Sequence, residues 1–281
     1  MNSAQNCIIV PAHNEEAVIR ATLDSVLKDA NPGEFEVLVV CNGCSDRTAS
    51  IAAEASSDVK AIELEEASKI AAINIGLRFA KGRSVLLLDA DIQISTSDAR
   101  SLLNEVDRVG TEVAIGHMDV DLQGADFMVR AFYRVWQQHP YLKNGKFAAA
   151  IALSAEGVDR IGVLPPVTAD DTYLKRLFPA RLVSVVPAVR FTAKAPRTIQ
   201  SLIKVRTRSQ RGTGQLKEHI EAPAADGTQR TRFIRSLVLS PRLWAAVPVY
   251  LAVAVIARIQ AVRKPTVRWE RDLTARVPVA K

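Results

Sequence analysis

The chain has 281 residues, of which 48% are hydrophobic. This length and composition suit one large α/β domain with appendages, or two small domains, and they exclude an intrinsically disordered chain. The three cysteines, Cys7, Cys41 and Cys44, are too few for a disulfide framework, and Cys41-x-x-Cys44 has no second Cys or His pair with which to form a zinc site. We expect no signal peptide before the first apolar strand, so a reducing, cytoplasmic compartment is the default.

Charge is distributed unevenly along the chain. Residues 190–281 carry 19 Lys and Arg against 5 Asp and Glu, whereas residues 1–189 carry 18 against 25. A basic back half suits phosphates, an anionic membrane surface or a nucleic acid, and charge alone does not choose among these partners.

Residues 84–94, S-V-L-L-L-D-A-D-I-Q-I, are the stretch around which the chain is organised. The apolar run predicts a strand buried on both faces, and the run ends in Asp89 and Asp91. Because side chains alternate along a strand, both carboxylates project to one side, at the sheet edge where α/β proteins bind ligands. Such a pair suits a divalent cation together with substrate phosphates. The alternative is that Asp-x-Asp only caps a helix starting near Ser95.

Strands and helices alternate through the first 91 residues. Apolar runs predict strands at residues 7–10, 35–40, 59–64 and 85–88. Helices are predicted between them; the first begins near Asn14 and Glu15, where Asn would cap it, and the third begins at Ser68. This order, with its short connections, is typical of a parallel, doubly wound sheet that binds its ligand at the carboxyl edge.

Four motifs in this region resemble the successive motifs of the family 2 glycosyltransferases, which have the GT-A fold. They are V-P-A-H-N-E-E at residues 10–16, V-V-C-N-G-C-S-D-R-T at 39–48, S-K-I-A-A-I-N-I-G-L at 68–77 and L-L-L-D-A-D-I at 86–92. The four occur in the order and spacing of the family. The resemblance covers residues 7–94.

The resemblance implies a binding site for a nucleotide diphosphate sugar. Pro11, His13 and Glu15 would lie along the nucleotide pocket, and Lys69 matches the family's lysine, although Ser68 replaces the preceding glycine. Asn42 stands where the family commonly has an aspartate that contacts the nucleobase. An amide donates as well as accepts, so the identity of the base stays open.

The same resemblance assigns the metal site. Asp89 and Asp91 match the family's Asp-x-Asp motif, whose second carboxylate typically ligates the metal that bridges the nucleotide diphosphate. The implied cofactor is Mg²⁺ or Mn²⁺.

Residues 168–177, T-A-D-D-T-Y-L-K-R-L, form a second motif whose residue types suit catalysis. They resemble the family's Glu-Asp motif, with Asp170 in the Glu position and Asp171 in that of the catalytic aspartate. Inverting transfer requires a base that removes the proton of the acceptor hydroxyl on the face opposite the leaving diphosphate. The alternative is that both carboxylates only complement a helix dipole.

A basic segment follows at residues 198–216 and includes Arg206, Arg208 and Arg211. It resembles loosely the family's basic segment that folds over the nucleotide, and guanidinium groups fork onto diphosphate oxygens, so we predict Arg208 and Arg211 at the donor. The alternative is an exposed helix face.

The C-terminal part is predicted as a linker at residues 221–227 followed by an apolar run at 243–257. Fifteen helical residues span only about 22 Å, less than a bilayer core, and Pro248 is expected to interrupt the run. We therefore predict a helix that lies in the membrane interface or re-enters it, with basic residues meeting anionic headgroups. These residues are Arg258, Arg263, Lys264 and Arg268. The alternative is a buried helix packed on the catalytic domain.

By this resemblance the chain is an inverting, metal-dependent glycosyltransferase of hexosyltransferase type. The predicted fold class is α/β, a GT-A domain at residues 1–220 with a mostly parallel, Rossmann-like sheet and helices on both faces. Its donor half is about 1–94, its acceptor half 95–220, and a membrane-associating extension occupies 221–281. The acceptor would be a saccharide or lipid-linked saccharide hydroxyl in cell-envelope or exopolysaccharide synthesis, with the enzyme peripheral on the cytoplasmic face of the membrane.

Two alternatives come from other classes. A nucleotidyltransferase acting on sugar phosphates also uses paired carboxylates, but it would normally show a Gly-rich, basic loop after the first strand, and residues 11–16 are neither. A nucleic-acid-binding module could use the basic back half. That half lacks aromatic residues interleaved with its arginines and contains an apolar 15-mer, so no nucleic acid is expected as a partner.

Overall fold

A computed structural model describes residues 6–216 and 227–263 of the chain. The strands found there are β1 Asn6–Ala12, β2 Phe35–Asn42, β3 Val59–Leu64, β4 Ser84–Leu88, β5 Ile92–Ile94, β6 Val113–Asp121, β7 Ala150–Leu153 and β8 Val183–Lys194. The helices are α1 Ile19–Leu27, α2 Thr48–Ala53, α3 Lys69–Phe79, α4 Thr96–Val106, α5 Phe127–Trp136, α6 Pro140–Lys143, α7 Ala155–Ile161, α8 Asp170–Leu177, α9 Ile199–Gln215, α10 Gly227–Val238 and α11 Val247–Arg263.

The strands form one sheet in the order β3-β2-β1-β4-β7-β6-β8-β5. Strands β1 to β4 pair in parallel. Beyond them, β7 is antiparallel to both β4 and β6, and β5 is antiparallel to β8. The prediction of a mostly parallel sheet is therefore right for the first four strands and wrong for the rest, because apolar periodicity reveals a strand but not the direction in which its connection returns it.

Helices cover both faces of the parallel half, as predicted. Side chains alternate along β1 and β2, so neighbouring residues face opposite layers. On one side, Ile8 and Val37 pack in a cluster with Leu23 of α1 and Leu102 of α4. On the other side, residues of β2 pack against Ala72 of α3. Burial on both faces explains why these strands are continuous apolar runs.

The loop between β1 and α1 differs from the prediction. Helix α1 begins at Ile19, so Asn14 does not cap it. Asn14 has a φ of +48°, a left-handed conformation that Asn tolerates better than most residues, and its Oδ1 accepts a hydrogen bond from Ser45 N at 2.7 Å. The side chain therefore ties together the loops that follow β1 and β2.

The chain divides into two compact units. The first comprises the described part of residues 1–119 with 145–193, and the second comprises 120–144 with the described part of 194–281. The sheet's pairings described above lie in the first unit. The linker predicted at 221–227 lies outside the described residues except for Gly227, the first residue of α10.

The second unit has a small helical core. Phe132 of α5 stacks on Tyr250 of α11 at a ring-centroid distance of 5.2 Å, and His139 stacks on Phe233 of α10 at 3.9 Å. Most apolar side chains of α5 are buried here, although Phe127 is 74% exposed. The aromatic stripe of α5 is therefore largely a core feature.

Helix α11 begins at Val247, one residue before Pro248, so the apolar run at 243–257 is α-helical only from that point. Pro248 is the second residue of the helix, where a backbone N–H has no acceptor within the helix, so its absence costs nothing. Among the residues that the structure describes, no helix combines the length and apolar character needed to cross a bilayer. Lys264 and Arg268 fall outside those residues.

Candidate active site

A buried lysine brings the two acidic motifs of the first unit together. The Nζ of Lys69 lies 2.7 Å from Asp89 Oδ1 and 2.9 Å from Asp170 Oδ2. Lys69 is the first residue of α3, whose N-cap Ser68 accepts a hydrogen bond from Ala71 N. Asp89 follows the last residue of β4, and Asp170 is the first residue of α8. Three elements therefore converge on one ammonium group.

Charge in this cluster is shifted by crowding and burial. Burial would lower the pKa of Lys69, but the carboxylates of Asp170, Asp89 and Asp171 raise it well above its usual range. The pKa of Asp89 is raised by burial, against the attraction of Lys69, and the Asp170 and Asp91 carboxylates raise it further. The cluster thus holds its lysine charged and disfavours the ionised form of Asp89.

Asp171 is the half-buried neighbour of Asp170 in the first turn of α8. Burial first, and then the Asp170 carboxylate, raise its pKa to about 7, while the ammonium groups of Lys69 and Lys146 act in the opposite direction. A carboxyl group whose pKa lies near neutrality can accept a proton in the physiological pH range and retain it long enough to function as a general base. Asp170 and Asp171 do lie at a helix start, so dipole complementation accompanies this chemistry and does not exclude it.

Asp91 lies in the turn between β4 and β5. The buried Oγ1 of Thr22 donates to Ala90 O at 2.8 Å and so fixes this turn against α1. Asp91 does not cap the following helix, because Ser95 is the N-cap of α4 and accepts from Asp98 N. In the described part of the chain, no three His, Cys, Asp or Glu side chains are arranged as ligands of one metal ion.

The other residues of the first unit that are predicted to bind the nucleotide sugar lie near the ends of β1 and β2 and in the loop after β1. His13 Nδ1 hydrogen-bonds Asn42 O, and Asn42 Nδ2 donates to Ala12 O at 2.7 Å. Glu15 is buried and its backbone N donates to Thr48 Oγ1 at 2.7 Å. Pro11 lies buried in β1, paired with Val40 of β2. The side-chain amide of Asn42 thus donates a hydrogen bond to a backbone carbonyl, which an ionised carboxylate at this position could not do.

Arg208 and Arg211 lie on α9 in the second unit. Arg211 Nη2 donates to Gln260 O of α11 at 3.4 Å. Arg206, a neighbouring arginine on the same helix, lies over the Phe132 ring at 5.8 Å. Their contribution to donor binding stays a prediction.

Two residues of the site were not singled out from the sequence. Asn74 of α3 donates to Leu164 O at 3.0 Å and accepts from Leu164 N at 2.8 Å, which ties α3 to the segment that leads into α8. Its place in the Lys69 motif was the available signal. Lys146, which influences Asp171, stands before β7 outside any motif, so no local pattern marked it.

Comparison with known proteins shows which family the chain belongs to. The family model described as glycosyl transferase family 2 matches residues 7–155. A dolichyl-phosphate beta-glucosyltransferase of Drosophila melanogaster is 31% identical over 157 residues, which are 50% of this chain and 48% of that protein. The chain therefore spans about half the length of this relative.

Two solved structures share the fold. A mannosyltransferase from Pyrobaculum calidifontis in complex with GDP-Man and Mn²⁺ superposes with a TM-score of 0.65 at 20% identity, over 93% of this chain and 86% of the other. Glucosyl-3-phosphoglycerate synthase from Mycobacterium tuberculosis gives 0.54 at 18% identity, over 78% and 81%. These likenesses confirm the α/β, GT-A-like fold. The family model covers just over half of the chain, which therefore belongs to glycosyl transferase family 2.

Proposed function

We propose that the chain transfers a sugar from a nucleotide diphosphate sugar to an acceptor hydroxyl, with inversion at the sugar. The observation that carries this proposal is the contact of Lys69 with both Asp89 and Asp170. Lys69 thereby links two parts of the chain. One is the end of β4, whose carboxylates are expected to face the diphosphate of the donor, and the other is the start of α8, which carries the expected base. Donor and acceptor chemistry would therefore meet at one place.

Asp171 is the proposed general base. A single in-line displacement requires a group that takes the proton of the acceptor hydroxyl as the new bond forms. The pKa of about 7, caused first by burial, makes Asp171 a stronger base than an ordinary aspartate while leaving it ionised at slightly alkaline pH. Lys69, held charged by its carboxylate neighbours, would attract the leaving diphosphate.

The carboxylates fit a hard divalent cation. Asp89, Asp91, Asp170 and Asp171 outnumber the ammonium groups that act on them, and the raised pKa of Asp89 reflects burial and this excess of negative charge. Asp91 and Asp89 would hold Mg²⁺ or Mn²⁺, which when bound offsets charge on the departing diphosphate. One or two carboxylates completed by substrate phosphates suffice for such a cation, so a cluster of three protein ligands is not required.

A nucleotide-sugar assay tests this function. Purified protein is incubated with uridine, guanosine and thymidine diphosphate sugars, Mn²⁺ or Mg²⁺, and acceptors that include lipid-linked saccharides and polyprenyl phosphate. We expect release of nucleoside diphosphate from one donor and its loss on chelation. No release across the panel, together with no donor binding by calorimetry, would contradict the proposal.

The acceptor is proposed to be lipid-linked, in cell-envelope or exopolysaccharide synthesis. The second unit supports this through an apolar face on α11, formed by Leu251, Val255, Ile259 and Val262, whose exposures are 54%, 55%, 45% and 76%. Their spacing of four, four and three residues places them on one side of the helix. The opposite side is buried through Val253 and Ala257.

Charge and aromatic residues around this apolar face suit an anionic bilayer surface. Arg258 and Arg263 are exposed on the same helix, and Arg242 is exposed just before it. Trp244, 59% exposed, precedes the helix and is a residue that favours the interface between water and lipid. We propose that the face inserts shallowly among lipid headgroups and holds the enzyme near its acceptor.

Vesicle sedimentation tests the membrane proposal. We expect binding to vesicles that contain phosphatidylglycerol and weaker binding to phosphatidylcholine alone. Val255→Glu should reduce binding roughly tenfold, because it removes about 1.5 kcal/mol or more of apolar burial and adds a negative charge. The matched control is Val109→Glu, at a fully exposed position in the first unit. Equal binding by the two variants would contradict the proposal.

A further inference from the structure

Two thiols lie together where the loops after β1 and β2 meet. Cys41 is buried near the end of β2, and Cys44, half-buried, follows the turn at Gly43, which has a φ of +58°. Cys41 and Cys44 are three residues apart across this turn, and Cys44 packs against the apolar cluster that contains Cys41. Cys44 Sγ also accepts from Asn14 N at 3.3 Å and donates to Ala12 O at 3.7 Å. One sulfur therefore joins the two loops.

The two thiols are chemically unequal. Interaction with the neighbouring Cys41 thiol lowers the pKa of Cys44 to about 7, against the effect of burial, and Asn14 N also stabilises the thiolate. The interaction with Cys44 and burial raise the pKa of Cys41 far above its usual value. Near neutral pH, Cys44 is thus substantially a thiolate beside a protonated thiol. This combination of a nucleophile and an adjacent resolving thiol is characteristic of redox-sensitive cysteines.

We propose that Cys41 and Cys44 form a thiol–disulfide site that hydrogen peroxide closes, and that its oxidation weakens donor binding. The Cys44 thiolate attacks one peroxide oxygen, which gives a sulfenic acid and, after protonation, water. The Cys41 thiol then attacks the sulfenic sulfur, and its proton leaves with the hydroxyl group as a second water. Two thiols lose two electrons in total, and the peroxide is reduced.

The consequence for the donor rests on the proposed function. Closing the disulfide draws Cys44 Sγ towards Cys41 and removes the acceptor of Asn14 N and the donor to Ala12 O. The loop after β1 carries His13, which is hydrogen-bonded to Asn42 O within the Cys41–Cys44 segment. Loss of one or two such hydrogen bonds should weaken nucleotide binding by roughly fivefold or more.

Peptide mass analysis of the full chain tests the chemistry without any substrate. Trypsin releases both thiols on one peptide, residues 29–47, and Cys7 on residues 1–20. After treatment with mild peroxide and then iodoacetamide, we expect the mass of peptide 29–47 to be lower by two hydrogens and its cysteines to remain unalkylated. Dithiothreitol should restore both the mass and the alkylation. Cys7 is an internal control, because burial raises its pKa to about 12. In Cys41→Ser, Cys44 should stop at a sulfenic acid that dimedone traps.

Three outcomes would overturn the proposal. In the first, both cysteines of peptide 29–47 remain alkylatable, or are oxidised directly to sulfinic acid, at peroxide levels that leave Cys7 intact. The second is a dimedone adduct in the unmutated chain at the level found in Cys41→Ser. The third is a nucleotide Kd, measured by calorimetry, that is equal for the oxidised and reduced chains. If the reduced chain binds no nucleotide, the proposed function fails, while the masses still decide whether the disulfide forms.

Discussion

Lys69 Nζ lies 2.9 Å from Asp170 Oδ2, so the first residue of α3 is paired with the first residue of α8. The lysine side chain is 19% exposed and the aspartate side chain 12%. A charge pair this sheltered costs desolvation, and it is retained only when both charges are compensated. Lys69 compensates Asp89 as well, at 2.7 Å. Donor and acceptor motifs are therefore coupled through a single side chain.

Lys69→Met should destabilise the fold, because it leaves two sheltered carboxylates without their ammonium partner. We expect a loss of roughly 2–4 kcal/mol in the free energy of unfolding at pH 8. Burial already raises the pKa of Asp89, and loss of the lysine should raise it further, so the penalty exists above the unfolded pKa of this carboxyl and is relieved as the pH falls. Urea unfolding at pH 8 and pH 5 measures both effects.

The matched control is Lys60→Met. Lys60 pairs with Glu36 at 2.5 Å, but its side chain is 60% exposed. Removing an exposed ion pair should cost under about 1 kcal/mol. Equal losses for the two lysines, or a Lys69→Met loss that does not depend on pH, would contradict the account of the buried cluster.

Asn42→Asp should destabilise the loop pair by roughly 1–3 kcal/mol at pH 8. The Asn42 amide donates to Ala12 O at 2.7 Å, and an ionised carboxylate would instead oppose that carbonyl oxygen. The new carboxyl group should have a raised folded-state pKa, so its penalty should shrink towards pH 5, where protonation restores a donor. A substitution without effect at either pH, measured by urea unfolding, would show that this amide is dispensable for the fold.

The rate of transfer should depend on pH through Asp171. Burial raises the pKa of this carboxyl to about 7, and a base acts only when ionised. We expect kcat/KM for the donor to fall about tenfold per pH unit well below pH 7 and to level off above it. An aspartate with an ordinary pKa near 4 would give a flat profile between pH 5.5 and 8. A flat profile measured over that range would therefore contradict the role of Asp171.

Much of the parallel half of the fold could be predicted from the sequence, because a strand buried on both faces is a continuous apolar run. Strand β3 has the predicted bounds, and α3 begins at Lys69, one residue after its predicted start at Ser68, which is its N-cap. Strand β5 has only three residues and exists because it pairs with β8, a long-range contact without a local pattern. The antiparallel direction of β7 was missed for the same reason.

The candidate site shows the same limit. The Asp89 and Asp170 motifs were visible as residue types, and their expected proximity came from the family resemblance. The contact through Lys69 became visible only in the structure. Lys146 acts on Asp171 although it stands in no motif, because electrostatic neighbours are defined by distance in space. Asn14 was assigned to a helix cap, yet its hydrogen bond to Ser45 holds it outside α1.

Asp91→Ala should weaken nucleotide binding that depends on metal. We expect the Kd for a nucleoside diphosphate in Mn²⁺ to increase tenfold or more, and the Kd in chelator to stay within about twofold, because the lost carboxylate acts through the cation. Calorimetry in both buffers measures this. Asp24→Ala, an exposed carboxylate on α1 paired with Arg20, is the control and should bind as the unmutated chain does. Unchanged binding by Asp91→Ala in Mn²⁺ would remove Asp91 from the metal site.

The most direct test of the proposed function compares binding and transfer in Asp171→Asn. We expect transfer to fall by roughly 10²–10⁴-fold, while the donor Kd measured by calorimetry in Mn²⁺ stays within about threefold. The variant should be at least as stable as the unmutated chain at pH 8, since burial disfavours the ionised carboxyl, so lost activity would not reflect unfolding. Transfer at the unmutated rate in a folded, donor-binding Asp171→Asn would contradict the assignment of the catalytic base, and with it the proposed active site.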